Sequence, residues 1–473
     1  MNNKKTIVLL FGSLCMQMAS ASQLLGVRQF NPLGDTLTNY DSAVYEASTD
    51  HNADGSIKQS VDYRKQTSQY DYDSVGRLQQ KTTTASTSES LKKGSLASNI
   101  NYSYYANSAQ VKQVDNGSNS VSYTYTSSGK VSSVTTTPEG GAGYSIYYSY
   151  DPNSGQLLSK SDSDGMSESY KYGVNGLISD AVTDSSGATH TVSYQYDDYG
   201  RRSAILRDNS MNSYYSYDKQ GRVAEIIIGV DPTTVSLSYS YSYNSGGNIS
   251  QVVMVSNITD HSGTVTTLYG YNALNQLESA SYSGDESLFP QDAFGSAMKA
   301  QYFSYTMNSG ISTVKTIYTN GQYDLANYNY DTVDGYPDRL LNINHSGDYD
   351  YETSLKAHYS SGDYRYDDNG NIIQDPYGNQ YSYNTLNQMI AMTSTSNSVN
   401  PVDVSYSYYP GGEMASERSN LLNSSDSMNN VPVYFYYSGQ TDENGMHQLV
   451  DQKQGNQTNY IMPGLANILV DNS

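Results

Sequence analysis

The six histidines are the side chains most able to bind a metal or move a proton near neutral pH. They are His51, His190, His261, His345, His358 and His447. None lies at metal-ligand spacing from another, and the sequence contains no His-Glu-x-x-His stretch. The serines form no Gly-x-Ser-x-Gly elbow, and Gly129-Lys130 lacks the rest of a phosphate loop. We therefore predict no catalytic residue, no metal ligand and no cofactor. A hydrolase with a hidden site is the enzymatic alternative.

Adjacent carboxylates occur at Asp197-Asp198 and at Asp367-Asp368. Both pairs lie in the same local phrase, so we interpret them as turn caps and solubilising charge. Weak Ca²⁺ binding is the alternative, because acidic loops are rich in the oxygen ligands that this ion prefers. The stretch from Asp162 to Gly165 is the best candidate, although it is far shorter than an EF-hand loop.

The phrase that contains these carboxylates is Tyr-x-Tyr-Asp/Asn-x-x-Gly, followed by a polar and an aliphatic residue. About fifteen copies recur roughly 17 to 36 residues apart, which is typical of repeat architectures. Copies from Tyr269 and Tyr381 have asparagine at the glycine position, and asparagine tolerates positive φ well. Four clear copies supply the predicted structural residues: Tyr70, Tyr72, Asp73, Gly76; Tyr194, Tyr196, Asp197, Gly200; Tyr215, Tyr217, Asp218, Gly221; Tyr364, Tyr366, Asp367, Gly370.

Each copy of the phrase predicts a β-hairpin. In a strand, residues i and i+2 share a face, so Tyr194 and Tyr196 point one way and Gln195 the other. Asp197 begins the turn, where its carboxylate accepts backbone N–H groups. Gly200 then takes the left-handed conformation common in loops of four or five residues. Hairpins in series pair edge to edge, and stability accumulates from neighbour to neighbour.

Three arginines follow turn glycines: Arg77, Arg201 and Arg222. We expect them to pair with turn aspartates of neighbouring repeats and to set the register.

The recurring phrase resembles the YD repeat of the RHS family, secreted and surface β-shell proteins similar to the teneurin and insecticidal toxin-complex shells. The resemblance extends over about residues 60 to 473. It implies an all-β fold in which YD-repeat β-hairpins form a continuous antiparallel strip that spirals into a full or partial shell. In many members the shell encloses a C-terminal toxin. We expect this chain to lack the core end and toxin domain that follow the last repeat in the family.

The N-terminus has the pattern of a secretory signal peptide. Lys4 and Lys5 precede a short apolar run, and Ala19-Ser20-Ala21 forms a small-residue cleavage site. We predict a signal peptide over 1–21, cleavage after Ala21, and a secreted or cell-surface protein. Cleavage removes Cys15, the one cysteine of the sequence, and so excludes disulfides.

The remaining chain divides into two predicted parts. Residues 22–60 lack the phrase and form an N-terminal cap or flexible arm. Residues 61–473 form the YD-repeat strip. Residues 284–301 are a possible insertion, which we interpret as a surface excursion or as a plug or docking element.

The formal net charge of −21 argues against nucleic-acid binding, which needs a basic footprint. No segment after the N-terminus reaches the length of a transmembrane span. We therefore predict an exported structural and interaction protein. It would be a shell or surface module that encloses, carries or presents another polypeptide, associated with a toxin or effector. The alternative is an adhesin whose exposed tyrosine-rich faces bind a cell-surface receptor or carbohydrate. The expected partners are protein cargo or a cell-surface receptor or glycan.

Overall fold

The computed structural model describes residues 48–85, 98–183, 186–208, 211–292, 294–331, 339–349, 363–394, 402–421, 430–441, 447–455, 457–460 and 468–471. Within those ranges the chain forms 34 β-strands, one 3-10 helix at Glu286–Leu288 and no α-helix. The predicted all-β class is confirmed. The predicted signal peptide and its cleavage site at Ala21 lie outside the described residues.

The first 24 strands form one sheet. Their bounds are β1 (Ser48–His51), β2 (Ile57–Val61), β3 (Thr67–Tyr72), β4 (Leu78–Thr84), β5 (Ser98–Tyr104), β6 (Val111–Asp115), β7 (Ser120–Tyr125), β8 (Val131–Thr137), β9 (Tyr144–Tyr150), β10 (Leu157–Asp162), β11 (Ser167–Gly173), β12 (Gly176–Thr183), β13 (Thr189–Tyr196), β14 (Arg202–Arg207), β15 (Asn212–Tyr217), β16 (Val223–Gly229), β17 (Val235–Tyr243), β18 (Ile249–Ile258), β19 (His261–Tyr271), β20 (Leu277–Gly284), β21 (Met298–Tyr305), β22 (Ile311–Tyr318), β23 (Tyr323–Tyr330) and β24 (Leu340–Gly347).

A second sheet contains ten strands. They are β25 (Arg365–Tyr366), β26 (Ile372–Gln374), β27 (Gln380–Tyr383), β28 (Met389–Ser394), β29 (Val402–Tyr408), β30 (Met414–Leu421), β31 (Val433–Thr441), β32 (His447–Gln454), β33 (Gln457–Tyr460) and β34 (Ile468–Asp471).

The two sheets form one continuous ribbon. Within each sheet, every strand pairs antiparallel with the strands before and after it in the chain, as β3, β4 and β5 do. Between the sheets, the backbone N–H of Tyr364 donates to the carbonyl of Leu341 at 2.7 Å. The hydroxyl of Tyr366 donates to the carbonyl of Leu340 at 2.7 Å.

The two faces of the ribbon differ in chemistry because side chains alternate along each strand. On one face Tyr123 lies opposite Val134, and on the other Thr124 lies opposite Ser133. We call these the tyrosine face and the hydroxyl face. The buried apolar clusters lie on the tyrosine face, with Val182, Val192 and Tyr194 in one of them. The hydroxyl face carries cross-strand hydroxyl pairs such as Ser149 with Ser159, at 2.8 Å.

The turn of the repeat is a three-residue loop, shorter than predicted. In the Tyr194 copy, Asp197 N–H donates to Arg201 O at 2.8 Å, and Gly200 N–H donates to Asp197 O at 3.0 Å. One carboxylate oxygen of Asp197 also accepts the N–H groups of Tyr199 and Arg201. Gly200 has a φ of 76°. The carboxylate stabilises this short loop because it accepts two N–H groups that would otherwise bond to water.

The asparagines at the glycine position also adopt positive φ, as predicted. Asn275 and Asn387 have φ values of 60° and 61°. The repeat thus constrains backbone conformation at this position and not residue type alone.

A β-bulge recurs in the return strand of the repeats. In the Tyr215 copy, Ser216 lies opposite Glu225, whereas Tyr217 lies opposite Val223, so Ala224 is an extra residue. The same shift occurs beside Tyr72 and Tyr243. Bulges bend a strand and increase its twist. Repeated in successive hairpins, they supply the curvature that a long ribbon needs to wind.

The second tyrosine of the repeat joins each hairpin to the preceding one. Pairing between hairpins ends two residues before the bulged end, as at Glu225 opposite Ser240. Beyond that point, the Tyr243 hydroxyl donates to the carbonyl of Val223 at 2.7 Å. Twelve described tyrosines make this bond: Tyr72, Tyr104, Tyr125, Tyr150, Tyr196, Tyr217, Tyr243, Tyr271, Tyr305, Tyr330, Tyr366 and Tyr408. The tyrosine hydroxyl thus supplies a hydrogen bond between hairpins at the position where backbone pairing has ended.

The ribbon winds and meets itself after roughly 300 residues. Arg64 bonds Asn369, 305 residues later, and Ser98 bonds Thr385, 287 residues later. Farther along, Asn116 bonds Tyr408 at a separation of 292. Residue numbers along the seam increase in the same direction on both passes. The second pass therefore runs alongside the first in the same direction. This is the predicted spiral, and we call the line of contact the seam.

The ribbon has two edges, formed by its turns. The turns after odd-numbered strands form the tyrosine edge, because the Tyr-x-Tyr phrase leads into them. The turns after even-numbered strands form the opposite edge. At the seam, the opposite edge of the first pass (Asp62, Arg64) contacts the tyrosine edge of the second (Asp367, Asn369).

The described ribbon already includes residues 48–60, which were predicted to belong to the cap or arm. Strands β1 and β2 pair within the segment predicted as a cap or arm. The repeat phrase does not predict this hairpin, because no Tyr-x-Tyr precedes the turn from Asn52 to Gly55. Both ends of the predicted insertion at 284–301 belong to strands of the ribbon. Gly284 ends β20 and Met298 begins β21, and between them lies the 3-10 helix, followed by the buried Phe289.

Replacing Tyr243 by phenylalanine removes only the hydroxyl that bonds Val223. Leaving a half-buried carbonyl unpaired should lower the free energy of unfolding by about 1 kcal/mol. Tyr241→Phe is the matched control, since that hydroxyl makes no hydrogen bond within the described part of the chain. Urea denaturation of both variants measures the difference. Equal losses would contradict the role of the second hydroxyl.

Replacing Gly200 by valine places a β-branched residue at a φ of 76°. Backbone strain of this kind costs about 1–3 kcal/mol, and the melting temperature should fall accordingly. The space itself is open, because the nearest side-chain atom to an added Cβ is 3.8 Å away. Gly200→Asn should lose much less, since asparagine occupies this position at 275 and 387. Similar melting temperatures for both variants would exclude the strain.

Candidate functional site

The predicted arginines bind the aspartate of their own turn and not that of a neighbouring repeat. Arg201 Nε donates to Asp197 Oδ2 at 2.7 Å, and Arg77 and Arg222 do the same with Asp73 and Asp218. The three-residue loop explains the correction, because it places residues i and i+4 side by side. The hydrogen bond from the Arg201 side chain lowers the pKa of the Asp197 carboxyl.

The same arginines contact the next repeat through its second tyrosine. The Arg77 guanidinium lies 4.5 Å from the centre of the Tyr104 ring. The corresponding distances are 4.3 Å from Arg201 to Tyr217 and 4.1 Å from Arg222 to Tyr243. Each cation–π contact contributes about 0.5–1 kcal/mol at an exposed site. The turn therefore clamps the ring whose hydroxyl joins the hairpins.

The remaining predicted copy, from Tyr364 to Gly370, lies at the seam. The Asp367 carboxylate is 3.2 Å from the guanidinium of Arg64, and both side chains are largely buried. Arg64 also donates through Nη2 to the carbonyl of Asn384 at 3.0 Å and to Asn387 Oδ1 at 2.7 Å. One arginine of the first pass thus binds two turns of the second. Removing one partner of a buried ion pair typically costs several kcal/mol.

A cavity of about 120 Å³ lies between the two passes. Tyr102 and Tyr123 line it from the first pass, and Tyr409, Tyr437 and Glu413 from the second. Burial raises the pKa of Tyr123 to about 12, and the Glu413 carboxylate acts in the same direction. These phenols are therefore neutral at physiological pH and are not nucleophiles. The cavity presents ring faces and one carboxylate, a chemistry suited to weak contact with apolar or cationic groups.

A buried group of charges lies on the tyrosine face of β10, β11 and β12. Lys160 forms an ion pair with Glu168, which is only 1% exposed. Glu168 also hydrogen-bonds the carboxyl of Asp180. Burial, and after it the nearby Glu168 charge, raise the pKa of Asp180 to about 8. Sequence reasoning missed this group because its three residues are spread over 21 positions and meet through strand pairing.

Opposite-edge turns use the same aspartate chemistry without tyrosines. Asp62, Asp162, Asp292 and Asp375 each accept the N–H of the residue four positions later. An aspartate followed by a short polar loop is the sequence signal of these turns. It could have pointed to Arg64, which lies inside the first of them.

The predicted calcium candidate is one of these turns. Asp162 accepts the N–H groups of Asp164 and Met166 and the hydroxyl of Tyr144. Asp164 pairs with Lys453 of the second pass. Calcium binding at this turn stays a prediction.

The histidines do not form a cluster in the described ranges. His345 Nδ1 lies 2.9 Å from Asp324 Oδ2 across β23 and β24. His358 lies outside the described residues. Among the residues that the structure describes, no three or more candidate metal ligands lie close enough together to hold an ion.

The part of the chain that the structure describes contains no helix with the length and apolar character of a membrane span.

No protein-family model matches the sequence, and no curated protein matches it either. Several solved structures share its fold. The TcdB2–TccC3–Cdc42 crystal structure matches with a TM-score of 0.67 and 13% identity, covering 88% of this chain. A Tc holotoxin pore from Photorhabdus luminescens, containing TccC3, matches with a TM-score of 0.67 and 15% identity over 91% of this chain. The TcdB2–TccC3 crystal structure matches with a TM-score of 0.64 and 15% identity over 88% of this chain.

These likenesses establish a fold shared with the TcdB2–TccC3 structures. At 13–15% identity they concern the fold alone. This chain spans about a fifth of the length of those neighbours, 21–22%.

The Asp180 carboxyl predicts a pH dependence. Its folded pKa is raised, so between about pH 4 and pH 8 the folded state keeps a proton that the unfolded state has lost. Stability from this group is thus present at low pH and is lost as pH rises through about 8. Asp180→Asn should remove this part of the dependence. We expect wild-type stability, relative to the variant, to be higher at pH 5.5 than at pH 8.5 in urea titrations. A constant difference would contradict the raised pKa of Asp180.

Proposed function

We propose that this chain is an exported RHS-type protein that forms a shell wall and encloses or presents another polypeptide. The observation that carries the proposal is the seam, because a ribbon that docks on its own earlier pass forms a continuous curved wall. The shared fold with TcdB2–TccC3 supports it, as does the resemblance of the YD phrase to a family whose shells enclose toxins. Export is supported by the pattern of residues 1–21.

The chemistry of the described wall suits containment. Its phenols are hydrogen-bonded or neutral, and its turn aspartates are engaged by backbone N–H groups and arginines. The function proposed is therefore steric enclosure with weak, multiple contacts, and no reaction is assigned. The cargo or effector is a polypeptide of unspecified sequence.

Surface recognition is a second candidate because some tyrosines do not pack on the tyrosine face. Tyr147 and Tyr302 lie on the hydroxyl face, opposite Ser133 and Ser279, and both are exposed. An exposed ring beside hydroxyl groups is a chemistry suited to a receptor or a carbohydrate.

The enclosure can be tested by opening the seam. A protease-sensitive reporter peptide fused after Ser473 should be cut slowly in the otherwise unchanged chain. Arg64→Glu places like charges beside Asp367, so the seam should open and the reporter should be cut at least about tenfold faster, because cleavage follows the open population. The measurement is the trypsin half-life of the reporter.

Arg365→Glu is the control, because it makes the same charge change at an exposed residue of β25. It should leave the half-life unchanged. A reporter cut as fast in the unchanged chain as in free peptide would reject enclosure. Loss of binding to a glycan array on Tyr302→Ala would then favour surface recognition.

A further inference from the structure

The tyrosine edge is docked in one part of the ribbon and uncovered in another. The phrases Tyr269–Leu277 and Tyr381–Met389 share six of their nine residues, which makes them an internal comparison. Their turns are alike, since Asn275 and Asn387 bond back to Asn272 and Asn384 at 3.0 and 3.2 Å. Only the second lies at the seam.

Docking changes the surroundings of this turn and not its shape. Thr385 is 4% exposed, and its hydroxyl is 2.6 Å from that of Ser98. The equivalent Ala273 is exposed, and the adjacent Leu274 is 76% exposed. The first pass therefore presents the same surface that the second pass buries.

Five turns of the uncovered tyrosine edge have apolar tips. Val75, Val174, Tyr199, Leu274 and Met307 are large, exposed and located in turns that follow odd-numbered strands. Val174 and Tyr199 lie in consecutive turns of this edge, as do Leu274 and Met307, and exposed apolar residues that are grouped mark an interaction surface.

The opposite edge is also uncovered between β14 and β17. Met211 and Val230 lie in its turns, and Val230 is 64% exposed. At the seam this edge is the one that receives a tyrosine edge. The chain thus has an uncovered stretch of each of the two edges that meet at the seam.

We propose that a second copy of this chain docks its opposite edge, around Met211 and Val230, on the tyrosine edge around Tyr199, Leu274 and Met307. The contact continues the established seam from one molecule to the next. It is heterologous, because different surfaces meet, so it extends head to tail and does not close as a dimer. This inference rests on the seam and is independent of enclosure.

Leu274→Lys and Val230→Lys each damage one of the two edges. Sedimentation equilibrium of the full chain should show dimers and larger species whose proportion increases with concentration. Each variant alone should be monomeric, with association weakened at least about tenfold. An equimolar mixture should form dimers and nothing larger, because only one intact pair of edges remains.

Leu268→Lys is the control for added charge, since Leu268 is exposed in the middle of β19. It should leave association unchanged, and melting temperatures of all variants should agree because each side chain is exposed. A monomeric wild-type chain at all concentrations would overturn the proposal. So would a mixture that stays monomeric, or dimers that survive Val230→Lys, which would indicate symmetric pairing of tyrosine edges.

Discussion

The hydrogen bond from the second tyrosine of each repeat to the preceding hairpin is the interaction on which the ribbon depends. The bulge ends regular pairing between hairpins two residues early and leaves a carbonyl without a backbone donor. Phenylalanine could pack in the same place, but it has no donor, and an unpaired half-buried carbonyl is costly. This need favours tyrosine over phenylalanine at the twelve described positions that make the bond, in a chain with 50 tyrosines and 6 phenylalanines. It also explains why the turn arginine lies against the same ring.

Winding follows from the bulges, and the seam follows from winding. Each bulge adds local twist, and the sum over about 300 residues brings the opposite edge of one pass to the tyrosine edge of the next. Along the ribbon, stability passes between neighbouring hairpins. The seam adds contacts between hairpins that are far apart in sequence, with Arg64 binding the turns that begin at Asp367 and at Asn384. The seam thereby couples the stability of hairpins that are not nearest neighbours along the ribbon.

The local features of the fold were predictable because each is encoded within nine residues. Tyr194 and Tyr196 share a face by strand period alone, and Gly200 and Asn275 reveal positive φ by residue type. The partner of Arg201 was predicted wrongly, since the choice between its own turn and the next depends on loop length. No local signal reveals the partners of Arg64 and Asp180. Their partners are chosen by the period of winding and by strand pairing, which sum many small angles that no single repeat specifies.

The carboxyls of this protein respond to pH in two opposite ways, and both follow from where the ribbon places them. In the turns, the backbone N–H of Arg77 lowers the pKa of Asp73, and the Arg201 side chain lowers that of Asp197. Groups with a lowered pKa stabilise the fold above the unfolded value of about 4 and lose that effect in acid. Asp180, buried beside Glu168, acts in the reverse sense. A chain with net charge −21 also repels itself more as its last protons leave. The turn carboxyls therefore favour the folded state above about pH 4, and the Asp180 carboxyl favours it at lower pH.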